Sequence, residues 1–234
     1  MLKLSLWIAT VLITTACSNQ PKTALTKPVV RTIAIIPATD PAPYAFENKS
    51  AAAFVIPLVA TVNYLDSKTK AKEFNEKLLA EPFALGAKLT NDIAAELRRY
   101  GYQVQILEAV SRPVDDIDNV DYKTVSTNAD AVLHLRFTKV GMFSPRSSTS
   151  YLPRVNAQGT VFVKGREDEL YDEEITYGVD TRSPTPWAMV ADPKFAYPSF
   201  EAVLAAIGEV RQVFSTGSEA ISKRMSGQVH DAVK

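Results

Sequence analysis

The residue types that most often carry chemistry in enzymes are few in this chain. Its 234 residues include one cysteine and two histidines, His134 and His230. The usual zinc sites need several such ligands, so we expect no metal and no other cofactor. The sequence contains no G-x-S-x-G nucleophile elbow, P-loop or G-x-G-x-x-G turn. His134 lies between apolar neighbours, which predicts a packed or partly exposed strand histidine rather than a catalytic base.

Carboxylates are grouped in two places. The first group comprises Asp115, Asp116, Asp118 and Asp121. It lacks the spacing and the central glycine of a calcium loop. The second group comprises Glu167, Asp168, Glu169, Asp172, Glu173 and Glu174. We interpret it as the solvated surface of a hairpin and predict no catalytic residue, although a glycosidase-like pair of carboxylates is the enzymatic alternative.

The single cysteine, Cys17, follows an apolar run from Leu4 to Ala16 that begins behind Lys3. A membrane-spanning helix needs about 20 apolar residues, so this run is too short to span and has the length of a signal-peptide core. The alternative is an ordinary secretory signal with a chance cysteine. We predict a signal peptide over residues 1–16 and a polar tether over residues 17–30.

The residues before Cys17 resemble the lipobox of bacterial lipoproteins. Ala16 fits that pattern, whereas Thr14 stands where the family prefers leucine. The resemblance implies that Cys17 carries a diacylglycerol and a further acyl chain such as palmitate, and so anchors the protein to a membrane. Ser18 replaces the aspartate of an inner-membrane retention signal. We therefore expect the outer membrane, with the protein facing the periplasm.

The bulk composition excludes one class of partner. Without Lys3 the remaining chain has 25 basic and 26 acidic residues, a net charge of −1. No basic excess is present to drive nucleic-acid binding, so we expect none. Hydrophobic residues make up 46% of the chain, enough for one core. We predict a single domain over residues 31–234, without an internal disulfide.

The first half of this domain has the pattern of a βαβ unit. The run Ile33–Pro37 is short, β-branched and closed by proline, which predicts a strand buried on both faces. Apolar residues recur every four positions within 84–100, and Gly101 follows, which predicts an amphipathic helix with a glycine cap. A strand over 103–108 completes the unit and implies parallel pairing.

The second half has the pattern of an antiparallel meander. We predict a long strand over 131–140, then a hairpin of strands 154–164 and 170–179. A final helix over 199–228 is predicted to start at Ser199 and to have a weak point at 215–218, Ser-Thr-Gly-Ser. A short helix is also predicted over 120–127. The fold class is thus α/β: a mixed sheet of about five strands, with helices packed on it and a long C-terminal helix.

An apolar and helical insertion interrupts the first unit at 40–80. Residues 38–50 are predicted to form a loop, and residues 68–79 a charged helix. Between them, residues 51–62 are almost wholly apolar but are interrupted by Pro57. The apolar run either covers its own sheet or docks to an envelope protein, a second copy or the membrane. Candidate partner-binding residues are Phe54, Val55, Ile56, Leu58, Val59 and, in a separate proline-rich stretch, Trp187.

The order of elements resembles a group of bacterial lipoproteins. The group includes GNA1162-like lipoproteins, the curli-secretion lipoprotein and the amino-terminal domain of the Tol–Pal periplasmic protein. The resemblance rests on Ile33–Pro37, on Gly101-Tyr102 and on Ala129-Asp130-Ala131-Val132. It implies an α/β sandwich with an assembly role in the cell envelope. We therefore expect a non-enzymatic interaction module. The alternatives are an envelope hydrolase or carbohydrate-active enzyme, and a homo-oligomeric scaffold that uses residues 51–62.

Overall fold

The computed structural model describes residues 29–49, 57–113, 119–145, 148, 150–164, 168–178 and 184–234; for residues 57–66 and Lys123 it describes the backbone only. The elements are β1 (Thr32–Ile36), β2 (Ala45–Asn48), α1 (Pro57–Leu78), α2 (Leu85–Arg99), β3 (Gln103–Ile106), β4 (Ala131–Ser144), β5 (Leu152–Val163), β6 (Glu169–Gly178), β7 (Ala188–Met189), α3 (Phe200–Ala205) and α4 (Ile207–Val233). Short 3-10 turns lie at Tyr122–Thr124 and Pro193–Phe195.

These elements confirm the predicted α/β class. The strands form one mixed sheet in the order β3-β1-β4-β5-β6-β7, with β2 paired to β4 beside β1. Strands β1, β3 and β4 run parallel, and β4, β5 and β6 form the antiparallel meander. The sheet has seven strands where about five were expected, because β2 and the two-residue β7 have too few residues to show a period.

The predicted βαβ unit is confirmed. Four residues of β1, from Ile33 to Ile36, are at most 1% exposed, as expected of a strand covered on both faces. Helix α2 ends in a Schellman motif: the Gly101 amide donates to Arg98 O at 3.0 Å and the Tyr102 amide to Leu97 O at 3.2 Å. Gly101 has φ 94°, a conformation that glycine adopts without a Cβ penalty.

The insertion differs from its prediction in two ways. Residues 38–50 are not all loop, because β2 pairs in parallel with β4, Ala45 opposite Gly141. Pro57 does not interrupt a helix but is the first residue of α1. An amide N–H at that position would have no partner within the helix, so its absence in proline costs no hydrogen bond. One continuous helix therefore runs from the apolar segment through the charged one. None of the helices in the described ranges is long and apolar enough to cross a bilayer.

The C-terminal helix is divided at Ala206, not at the predicted weak point. Ser199 caps α3 as expected, since its hydroxyl accepts from the Ala202 amide at 3.2 Å. Helix α4 is continuous through 215–218. Gly217 lies close to the sheet, and a Cβ there would lie 2.7 Å from the Tyr177 ring. The small side chains of this stretch therefore allow α4 to pack against the sheet. The expected short helix at 120–127 is only the 3-10 turn at Tyr122–Thr124.

Aromatic packing explains why β2 forms despite its four residues. Phe46 is 6% exposed. Its ring lies 5.3 Å from Phe74 of α1, 4.6 Å from Tyr151 and 5.0 Å from Phe200 of α3. Such ring pairs add to the free energy gained by burial. One side chain of β2 thereby joins the insertion, the sheet and the C-terminal helices.

Candidate functional site

The predicted site residues fall into three groups. Cys17, Phe54, Val55 and Ile56 lie outside the described residues. Leu58 and Val59 lie in the first turn of α1, described as backbone. Trp187 is 48% exposed beside β7. Helix α1 packs near β2, and β7 lies at the other edge of the sheet, so the structure does not bring Trp187 together with α1.

An apolar groove lies along the described half of α1. Its volume is about 560 Å³, and its lining residues are Ala42, Pro43, Ala71, Lys72, Asn75, Glu76 and Leu79. Leu79 at its rim is 53% exposed and adds apolar surface to the groove. The polar side chains around it contribute mainly their aliphatic parts. The groove is therefore suited to an apolar segment rather than to a charged small molecule.

Asn75 shapes one wall of this groove. Its side-chain oxygen accepts from the Tyr44 amide at 2.9 Å, and its Nδ2 donates to Tyr44 O and Ala71 O, both at 2.8 Å. The amide group thus satisfies both backbone groups of Tyr44 and holds loop 41–44 against α1. Buried backbone groups need such partners, so the loop has a defined position.

Arg211 of α4 fixes the other end of α1. Its guanidinium donates to Leu78 O at 2.8 Å, to Lys77 O at 3.0 Å and to the Glu81 carboxylate at 2.6 Å. The last carbonyl groups of a helix have no hydrogen-bond donors within the helix, and the Arg211 guanidinium donates to two of them here. Its positive charge also interacts favourably with the negative end of the helix dipole. The groove is therefore bounded by rigid elements.

A second concavity opens where β1 ends and β2 begins. It has a volume of about 310 Å³ and includes Asp40, Phe137 and Lys139 in its lining. Its charged groups already have partners: Asp40 accepts from the Gly86 amide at 2.6 Å, and Lys139 contacts Glu47 at 2.8 Å. Burial pulls the pKa of Glu47 upward, but the ammonium groups of Lys139 and Lys49 outweigh it and hold the pKa below its usual value.

The carboxylates of β6 belong to a polar ladder on the open face of the sheet. Asp172 accepts from Gln158 at 2.6 Å and from Thr160 at 2.9 Å. Glu174 accepts from Thr138 at 2.6 Å and from Asn156. Both are exposed. Among the acidic residues of this cluster that the structure describes, the predicted solvated surface is confirmed, and sequence reasoning missed only the cross-strand ladder.

Shifted carboxylates in the described ranges do not have the character of general acids. The pKa values of Glu47, Asp130, Asp192 and Glu219 are all lowered. A general acid at neutral pH needs a raised pKa. Within the part of the chain that the structure describes, no three His, Cys, Asp or Glu side chains are grouped as metal ligands.

Asp130 has a structural role. Its carboxylate accepts from the Arg31 amide at 2.9 Å and from the Thr32 amide and hydroxyl, both at 2.8 Å. The bond from the Arg31 amide, followed by those from Thr32, lowers the pKa of Asp130. The Ala-Asp-Ala motif therefore fixes the start of β1 beside the start of β4.

His134 is buried, which is one of the two outcomes that the strand pattern predicted. It is 2% exposed, and its Nδ1 shares a hydrogen bond of 2.8 Å with the Tyr122 hydroxyl. Burial, with the charges of Arg112 and Arg136, lowers its pKa to about 4. A neutral, enclosed imidazole of this kind has no access to a substrate, which favours a packing role.

No family model matches this chain, and no curated protein does. Similar solved structures include protein XCC0632 from Xanthomonas campestris, with 8% identity and a TM-score of 0.38 over 91% of this chain and 90% of that one. The hypothetical protein CT253 from Chlamydia trachomatis has 11% identity and a TM-score of 0.32, over 63% and 71%.

Lipoprotein GNA1162 from Neisseria meningitidis, whose group the sequence resembles, has 16% identity and a TM-score of 0.28, over 62% of this chain and 81% of that one. All three TM-scores are below 0.5, so the function must rest on the residues of this chain.

Proposed function

We propose that this protein is an envelope lipoprotein, anchored through Cys17, that acts as a non-enzymatic interaction module at the periplasmic face of the outer membrane. The observation that carries the anchor is the single cysteine directly behind an apolar run of signal-peptide length. Each methylene of an acyl chain that is buried in the membrane contributes about 0.8 kcal/mol to the free energy of binding. Several chains on one cysteine therefore attach the protein to the membrane permanently.

The apolar groove supports the interaction role. It lies on the helix whose first turn contains Leu58 and Val59, so the apolar run 51–62 and the groove are parts of one insertion. The occupant that we propose is an apolar segment of another envelope protein. Such a segment would cover the exposed side chain of Leu79 and the aliphatic parts of Lys72 and Glu76, which line the groove. Trp187, on the opposite sheet edge, is a second and separate contact candidate.

The anchor is tested by the substitution Cys17→Ala. We expect the variant to move from the membrane fraction to the soluble fraction, because a thiol is needed for acylation. The measurement is fractionation of cells, with the mass of the purified mature protein as a second readout. Ser18→Ala is the matched control and keeps the anchor. Unchanged membrane attachment of the Cys17→Ala protein would contradict the proposal.

The interaction role is tested by placing a photoreactive amino acid at Leu79, on the groove rim. Irradiation of native envelopes is expected to give one reproducible protein adduct, identified by mass spectrometry. The matched control is the same amino acid at Glu173, an exposed residue of β6 that does not line the groove and is remote from Trp187 in the sequence. Equal adducts from both positions, or none from Leu79, would count against the groove. An adduct with a second copy of this chain would instead support the scaffold alternative.

A further inference from the structure

One end of the domain gathers the point where the tether enters and several exposed aromatic and basic groups. Strands β1, β3 and β4 are parallel, so their first residues lie at the same end of the sheet. Asp130 holds Arg31 and Thr32 at this end. Val29, just before them, is 74% exposed. The tether therefore leaves the domain at a fixed place.

The C-terminal ends of α2 and α4 lie at the same end of the sheet. Helix α2 leads through Tyr100 and Tyr102 into β3, whose first residue donates its amide to Arg31 O at 3.0 Å. Helix α4 arrives beside them, since the Tyr102 hydroxyl lies 2.9 Å from His230 Nδ1. We call the surface formed by Val29, Arg98, Arg99, Tyr100 and His230 the tether face.

Tyr100 is the most prominent group of the tether face. It is 45% exposed, and its ring stacks on the His230 imidazole with centroids 4.4 Å apart and planes 14° apart. Tyr102 contacts the same imidazole edge-on at 5.8 Å. The stack holds the exposed ring in place, so little conformational entropy would be lost when Tyr100 meets a partner.

The charges of the tether face are mixed, with exposed arginines. Arg98 donates to Val104 O at 3.1 Å, and Arg99 contacts Glu96 at 2.6 Å. Both guanidinium groups stay exposed, and a guanidinium matches the geometry of a phosphate. Asp231 also lies close to Tyr102, which keeps the surface from being strongly basic. Tyrosine and arginine together suit the headgroup layer of a membrane.

We propose that the tether face rests on the phospholipid headgroups of the membrane that holds Cys17; this inference rests on the proposed lipid anchor. Twelve residues lead from Cys17 to Val29. Even when fully extended, a chain of that length spans at most about 40 Å. Because of the tether, the domain meets the membrane surface at a high effective concentration. A contact between the tether face and the headgroups that is too weak to bind an unanchored protein can therefore be populated. The groove beside α1 includes Ala42 and Pro43, which follow β1, whereas the tether enters before β1.

Tryptophan fluorescence tests this orientation. The protein, purified from membranes in its mature form, is reconstituted into vesicles of phosphatidylethanolamine and phosphatidylglycerol whose acyl chains carry bromine near the headgroup. In the double variant Tyr100→Trp, Trp187→Phe we expect the tether-face tryptophan to lose most of its emission relative to unbrominated vesicles. The control is the unsubstituted protein, whose Trp187 is about equally exposed and is expected to stay unquenched.

Two readouts separate this inference from the proposed function. Flotation with the vesicles reports the anchor, and quenching reports the orientation. The tether-face contact is wrong, while the anchor stands, if the double variant floats with unquenched emission or if Trp187 of the unsubstituted protein is quenched to the same extent. If the protein does not float, the anchor itself is wrong.

A phospholipid with a photoreactive headgroup gives a second measurement on the unsubstituted protein. We expect adducts on the peptide around Arg98 to Tyr102. Adducts confined to other peptides would overturn the contact.

Discussion

Replacing Gly141 with alanine is expected to destabilise the fold by about 3 kcal/mol or more. The reason is that β2 approaches β4 at this position closely enough to leave no room for a side chain. An added Cβ would lie 1.9 Å from Ala45 O and 2.6 Å from the Ala45 carbonyl carbon. Backbone atoms cannot rotate away, so β2 must separate from β4.

The consequence extends from β2 to the apolar groove. Phe46 would leave its three aromatic neighbours, and Tyr44 would lose its place against Asn75. We expect the groove to open and the adduct formed from Leu79 to weaken. Gly141→Ala therefore tests whether β2 is the element that positions the groove.

Urea unfolding measures the change in stability, and hydrogen exchange of the amides of β2 locates it. Gly208→Ala is the matched control. Gly208 lies in the first turn of α4, and a Cβ there would meet no atom within 4 Å. Alanine favours the helix by up to about 1 kcal/mol, so this variant should be equally or more stable. A Gly141→Ala protein that unfolds at the urea concentration of the parent would contradict the close approach.

Acidification from pH 6.5 to pH 4 is expected to remove about 3 kcal/mol of stability through His134 alone. Its pKa is about 4 in the folded protein, against an ordinary value of 6.5. In this interval the unfolded chain binds a proton at His134 that the folded chain does not. Stability is therefore complete above pH 6.5, falls as the pH is lowered, and reaches its lower level below pH 4.

The variant His134→Gln removes this dependence and keeps a polar group for Tyr122. We expect its free energy of unfolding to vary less between pH 6.5 and pH 4 than that of the parent, by the same amount of about 3 kcal/mol. Carboxylates with lowered pKa, such as Asp130, are present in both proteins and cancel in the comparison. His230→Gln is the companion variant, since it removes the other histidine. Parallel pH profiles for the parent and His134→Gln would show that the burial of His134 has been misjudged.

Local patterns were enough for much of the fold. The continuous apolar run of β1, the four-residue spacing of α2 and the glycine at 101 each predict their own element, because period and turn chemistry act over a few residues. The strand predicted over 131–140 likewise lies within β4, and its residues Leu133 and Leu135 are fully buried.

Long-range contacts explain what those patterns missed. Strand β2 exists because β4 offers it a partner 96 residues later in the chain and because the Phe46 ring packs against three rings from distant parts of the chain. The small residues at 215–218 predict a weak helix when viewed alone, yet Tyr177 requires one of them to be Gly217. Arg211 reaches α1 from more than 130 residues away.

By itself, the sequence determined the α/β class, the βαβ start and the meander, since these depend on neighbouring residues. The lipid anchor at Cys17 is a prediction of the same local kind. Only the tertiary structure decided where surfaces lie. It formed the groove from loop 41–44 and α1, placed Trp187 at the other edge of the sheet, and collected Tyr100, His230 and Arg98 near the first residues of β1 and β3. The physical reason is that a surface is made by residues distant in the chain, whose meeting depends on close packing of the whole core.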